Sequence, residues 1–226
     1  VGKAMWIITA GVCACLFLYI IEQVLDVNYA VKTAVKLVLF ILLPLFYVWK
    51  IKQGRLSEIL ALKNAGWRGL IPAFLFGFAA FSAVLAAFFI LQESIDLAAI
   101  AYEMETKLGI TPQVFVFVAF YVTFLNSLLE EFFFRGFLFL ELHRLGYRTT
   151  AYVFSSLLFG LYHIAIFQSW FSLPVTLLAL AGLIGVGFLF DWLVSRSDSF
   201  ISSWIVHIFA DIAIVLIGFH MFGMFS

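Results

Sequence analysis

The chain has 226 residues, 13 basic and 13 acidic side chains, and a composition that is 65% hydrophobic and only 12% charged. Soluble domains carry roughly 25% charged residues, so a water-exposed globular domain is excluded. The neutral balance also argues against nucleic acid as a partner. What remains is one integral, multi-pass membrane domain over residues 1–226, with the lipid bilayer as its solvent.

A membrane span needs roughly 17–25 predominantly apolar residues. The stretches 4–21, 33–49, 70–91, 114–140, 150–168, 172–194 and 200–222 meet that requirement. They predict an all-α bundle of seven spans, with an eighth span or a re-entrant segment left open. The first follows Lys3 and has no small-x-small cleavage signal, so it reads as a retained span. Its Cys13 and Cys15 are two residues apart and point apart on a helix, so they read as packing residues and not a disulfide. Pro44 falls inside the second span and predicts a kink. Pro72, Pro112 and Pro174 fall near helix starts, where proline is tolerated. Ala79, Ala83 and Ala87, and Ala181 with Gly185, recur at four-residue spacing and predict flat faces for close helix packing.

Charge sets the expected orientation. With the N-terminus in the cytoplasm, nine basic residues fall on that side: Lys3, Lys50, Lys52, Arg55, Lys63, Arg68, Arg144, Arg148 and Arg196. Three fall outside, Lys32, Lys36 and Lys107, beside an acidic loop at 92–113. Lysine and arginine prefer the cytoplasmic side, so this orientation is expected. The basic stretch 50–68, with Trp67, reads as a cytoplasmic segment lying on anionic lipid.

The fourth span contains Leu128-Leu129-Glu130-Glu131-Phe132-Phe133-Phe134-Arg135. Ionisable side chains at bilayer depth are costly and mark function by default. Residues four apart share a helix face, so Glu131 and Arg135 are expected to pair. Adjacent residues are about 100° apart, which turns Glu130 elsewhere and leaves it free for general-base work. The alternative is an inert buried charge network.

Two later spans offer partners. In Phe159-Gly160-Leu161-Tyr162-His163, Phe159 and His163 lie one turn apart and both can face the interior. In the last span His207 and Asp211 share a face, where they could form a hydrogen-bonded pair, bind a metal or face a substrate. Other polar residues read as supporting. Asp191 is expected at the cytoplasmic rim or as a structural partner. Asn126 and Ser127 are expected to hydrogen-bond across helices, Tyr162 to pack or sit at the rim, His143 and His220 to sit at interfaces, and Glu141 with Arg144 to form a solvated helix-end pair.

The pattern Glu-Glu-x-x-x-Arg, Phe-x-x-x-His and His-x-x-x-Asn or Asp resembles the signature of the CPBP family, the CAAX-processing and bacteriocin-processing membrane proteins, also called the Abi family. Here it reads Glu130, Glu131 and Arg135; Phe159 and His163; and His207 and Asp211. The resemblance covers roughly residues 114–215 and leaves 1–91 as additional N-terminal spans. It implies a glutamate-dependent intramembrane endopeptidase in which Glu130 and His163 activate water and His207 and Asp211 line the oxyanion side. Glu131, Arg135 and Phe159 would then be structural support. It further implies a membrane-associated peptide or protein substrate, with prenylated C-termini, pheromone or bacteriocin processing and self-immunity as variants.

An ionised aspartate cannot donate to an oxyanion as asparagine would. That keeps a zinc reading open, with Glu130, His163, His207 and Asp211 as ligand types, although no His-Glu-x-x-His motif occurs and catalysis without a metal is favoured. A non-catalytic scaffold or immunity protein and an ion or proton carrier are the competing classes.

Overall fold

Eight helices and no strand make up the described residues, seven of the helices long and apolar enough to cross a membrane. The structure, a computed structural model, describes residues 2–25, 27–54 and 67–225, apart from the side chains of 67–69. The seven candidate spans correspond to the seven apolar stretches read from the sequence. They are α1 (Gly2–Gln23), α2 (Tyr29–Phe46, continuing as a π-helical stretch Tyr47–Lys52), α3 (Trp67–Leu91), α5 (Pro112–Arg144), α6 (Arg148–Phe167), α7 (Leu173–Ser197) and α8 (Ile201–Met221). The eighth helix, α4 (Leu97–Leu108), is a short element of the acidic loop. It starts on Asp96, whose side chain accepts from Ala99 N, and stops at Gly109, which takes the left-handed conformation (φ 70°) that glycine adopts at no steric cost.

α5 is the axis of the bundle. Residues 129–142 are buried on every side, apolar and charged side chains alike, as in a helix enclosed by others. Phe133, Phe134, Phe137 and Phe139 fill its surroundings, with Phe40 of α2 stacked on Phe133 at 4.0 Å between ring centroids. The helix is not uniform. π-helical stretches at Tyr121–Asn126 and Phe132–Phe139 flank one α-helical turn, Ser127–Glu131. Such stretches shift side-chain register within a helix and recur at functional sites.

Around this axis the neighbours pack in pairs: α3 on α8, α6 on α7, and α1 on both α2 and α6. The packing faces differ from those read from small-residue spacing. Ala79, Ala83 and Ala87 are exposed on α3, as are Ala181 and Gly185 on α7. The close approaches fall instead at Gly77 against Phe209, Gly160 against Ile184 and Gly187 against Ser156. α3 is apolar all round, so periodicity cannot choose its face; the bulk of Phe209 opposite Gly77 does.

Proline behaves as its missing N–H dictates. Pro112 and Pro174 lie in the first turns of α5 and α7. Pro72 is six residues into α3, because that helix begins earlier than expected. The distortion expected at Pro44 falls three residues later, as the π stretch of α2. Cys13 is exposed and Cys15 buried, and neither is in a disulfide. Of the basic stretch 50–68, Lys50 packs over Trp49 and Lys52 is paired with Glu141, while Arg55, Lys63 and the side chains of Trp67 and Arg68 lie outside the described residues.

A Cβ on Gly187 would lie 3.0 Å from Ser156 Cα and 3.4 Å from Arg135 Nη2, whereas one on Gly182 meets nothing within 4 Å. Overpacking costs about 1–3 kcal/mol, so Gly187→Ala should lower the melting temperature in detergent by roughly 3–10 °C. Gly182→Ala should leave it unchanged.

Candidate active site

Glu130 sits on the short α-helical turn of α5 and is 1% exposed. Its two oxygens have different surroundings. Oε1 accepts from Asn126 Nδ2 (2.9 Å), Tyr162 OH (3.2 Å) and Lys36 Nζ (3.3 Å). Oε2 makes no hydrogen bond among the described residues and faces His163 Nε2 at 3.6 Å and His207 Nε2 at 3.8 Å. Both gaps are too long for a direct hydrogen bond and short enough for one water to reach across.

The hydrogen bonds made by the other ring nitrogens assign the tautomers. His163 Nδ1 is 2.7 Å from the carbonyl oxygen of Phe159, one turn back on α6. A carbonyl only accepts, so Nδ1 carries the proton and Nε2 is turned to Glu130. His207 Nδ1 is 3.0 Å from Glu131 Oε1, which also accepts from Arg135 Nη1 at 3.2 Å. An arginine-paired carboxylate is an acceptor, so Nδ1 of His207 donates. Its Nε2 then faces both Glu130 and Asp211, the latter with Oδ1 at 3.7 Å.

Arg135 holds the underside together. It is fully buried, bonded to Glu131, and has Nε 3.5 Å from Asp191 Oδ1 of α7. Ser155 and Ser156 of α6 donate to the two oxygens of Asp191, each at 3.0 Å. The guanidinium carbon lies 4.0 Å from the Phe159 ring centroid and 4.9 Å from that of Phe190, close enough for cation–π attraction. Phe159 also meets the His163 ring edge-on at 4.5 Å. Phe159 thus contacts both a charge pair and a histidine.

All seven residues of the three motifs therefore converge, but their division differs from expectation. Glu131 and Arg135 do pair. Glu130 is not free: Lys36 forms an ion pair with it and two neutral donors share the same oxygen. Glu131 makes the hydrogen bond to His207, and Asp211 stands at a longer distance. Asp191 is a buried structural partner and not a rim residue.

Two residues at Glu130 were missed or misread, and a third does more than expected. Tyr162 is a donor to Glu130 and not packing alone. Asn126 takes the expected cross-helix bond from Lys36 (2.8 Å) and also serves Glu130. Lys36, counted above among the outer charges, lies inside α2 with its side chain 13% exposed. The signal was present: Lys36 is the sole charged residue between 33 and 49, and the rule that singled out Glu130 applies equally to it.

Elsewhere, Ser127 accepts from Trp204 Nε1 across to α8 at 3.1 Å. Glu141 is buried and not solvated, bound by Lys52 at 2.8 Å and Arg144 at 3.3 Å. Its position on the wholly enclosed part of α5 explains the difference. His143 packs on Phe139 and Tyr152, and exposed His220 lies beside Phe88.

Access to the cluster is narrow. Among the ion-paired side chains of the cluster, Lys36 and His163 are the most exposed, at 13% and 15%. Two apolar surface grooves of about 580 and 520 Å³ include none of the site residues. Among the described residues no group of three or more His, Cys, Asp or Glu side chains has the geometry of a metal site.

The fold and the cluster define a polytopic membrane protein with a carboxylate and two imidazoles gathered inside its helices. Residues 112–213 match the family model described as type II CAAX prenyl endopeptidase Rce1-like, which is the CPBP, or Abi, family that the three motifs resemble. All seven motif residues lie within the matched segment, and the family is one of proteases. No curated protein and no solved structure matches this chain.

Removing one partner of a buried ion pair leaves an uncompensated charge and costs about 3–5 kcal/mol. Arg135→Met strands Glu131 and Asp191 together, so it should sharply lower the yield of folded protein and its melting temperature in detergent. Asp191→Asn keeps one oxygen to accept from Ser155 and turns its amide N–H to the Ser156 hydroxyl oxygen, so it should cost less.

Proposed function

We propose that this chain is an intramembrane endopeptidase that hydrolyses a peptide bond in a membrane-associated peptide or protein. The observation that carries the reading is the unpartnered Oε2 of Glu130, aimed at the Nε2 atoms of His163 and His207 from 3.6 and 3.8 Å. A water held between Glu130 and His163 has a base on one side and a ring nitrogen on the other.

Glu130 takes a proton from that water as the oxygen attacks the scissile carbonyl. The carbonyl becomes a tetrahedral oxyanion, and the proton passes to the leaving amine as the C–N bond breaks. In its imidazolium form His207 donates from Nε2 to the oxyanion, with the ring held by Glu131 at the opposite nitrogen. Oxyanion donors of this kind act strongly because they are fixed before reaction in a water-poor site. Asp211 borders that side through His207. Glu131, Arg135 and Phe159 act by positioning.

The family description makes a prenylated C-terminal peptide the first substrate to test. With Lys36 counted inside α2, basic residues still crowd the N-terminal side, and we infer that this side is cytoplasmic.

The test is cleavage of a fluorogenic farnesylated CAAX peptide by purified protein in liposomes. Glu130→Gln and His163→Ala should each lower kcat by about 10²–10⁴-fold, the range for general acid–base groups. Equal cleavage by Glu130→Gln and the unchanged protein would overturn the assignment. Cleavage should persist with a strong zinc chelator; loss that added zinc restores would move Glu130, His163, His207 and Asp211 to metal ligands.

A further inference from the structure

We propose that Lys36 is a positioning residue whose ammonium offsets the carboxylate of Asp211, the two acting on one another through Glu130 and His207. The proposal rests on the endopeptidase reading for its kinetic consequence and on the geometry alone for its electrostatic one.

Charge in the cluster is unequal. Four carboxylates, Glu130, Glu131, Asp191 and Asp211, are buried there. Among the described residues, the fixed cations bonded to them are Arg135 and Lys36. Arg135 already serves two carboxylates, Glu131 at 3.2 Å and Asp191 at 3.5 Å. Glu130 and Asp211 are left to Lys36 and to the imidazoles. His207 links them, with Nε2 3.8 Å from Glu130 and 3.7 Å from Asp211. Without Lys36, two carboxylates would face one imidazole on the side where the oxyanion forms. A charge of that sign would oppose the reaction in a medium that screens it poorly.

Position 211 sharpens the argument. An asparagine there would add no charge. This chain has the acid, and it also has a lysine at the cluster. Lys36 comes from α2, outside the matched segment 112–213, so the family match assigns it no part.

Its placement is well defined. The ammonium lies 5.2 Å from the Tyr162 ring centroid and donates to Asn126 Oδ1 at 2.8 Å and Glu130 Oε1 at 3.3 Å. Asn126 donates to the same Glu130 oxygen at 2.9 Å. This triangle fixes Oε1 and presents Oε2 to the histidines.

The test is a double-mutant cycle of Lys36→Met and Asp211→Asn, read in kcat and KM for the farnesylated peptide and in melting temperature. Alone, Lys36→Met should lower kcat about 10–100-fold with KM little changed, within the coupling range for one charge network. In the Asp211→Asn background the same change should cost less than about threefold. Lys36→Arg, which keeps the charge, should retain most of the rate. The melting temperature should show the same pattern, falling by several degrees with Lys36→Met alone and recovering in the double variant.

Equal losses in both backgrounds would overturn the proposal, as would a Lys36→Met protein with unchanged kcat and melting temperature. Should Lys36→Met fail to fold, a folded double variant supports the pairing and an unfolded one refutes it. If the unchanged protein cleaves no peptide, the endopeptidase reading falls, and the melting temperatures still decide the pairing.

Discussion

The structure depends on one buried guanidinium. Arg135 lies at the centre of the bundle, and lipid and apolar side chains offer it no water. It persists there because Glu131 and Asp191 supply charge and because Phe159 and Phe190 face its plane. Those contacts join α5, α6 and α7. Gly187 makes the junction possible, since a side chain there would collide with Ser156. Glu131, held by Arg135, in turn fixes His207 of α8. The position of a histidine on the last span therefore rests on an arginine three helices earlier in the chain. Buried ion pairs are weak devices for stability, but removing half of one is severe, so the network constrains every helix that enters it.

Much of this was legible in the chain. Seven spans followed from apolar length, because in lipid every backbone group is satisfied within its own helix and the hydrophobic stretch must match the bilayer. The Glu131–Arg135 pair followed from four-residue spacing. The meeting of the three motifs followed from the cost of isolated charges in lipid. What was not legible was which polar group answers which. Spacing describes one helix at a time, and Glu130 is answered by Lys36 and Tyr162 on two others. Asp191 read as either a rim residue or a structural partner because it is near a helix end; α7 runs on to Ser197, and the second reading is the one observed.

The helix faces were unreadable for a different reason. α3 is apolar on all sides, and α7 is so until Asp191 near its C-terminal end, so neither pattern picks out a packing face. Alanine spacing then selects a face that is geometrically suitable but exposed. The deciding feature is the large side chain opposite, such as Phe209 against Gly77. The two π stretches of α5 were equally hidden. They flank the turn that bears Glu130 and Glu131.

The enclosure of α5 has a consequence for biogenesis. Each charged residue at a helix centre adds about 2.5–3.5 kcal/mol to insertion, and α5 carries three of them past the translocon before α6, α7 and α8 exist. Glu131 and Arg135 can neutralise one another within the nascent helix. Glu130 has no such partner on its own helix, but Lys36 has already been inserted with α2. The order of synthesis thus delivers a cation to the membrane before the anion that needs it. Asp191 and His207 arrive last, onto a helix whose charges are already matched.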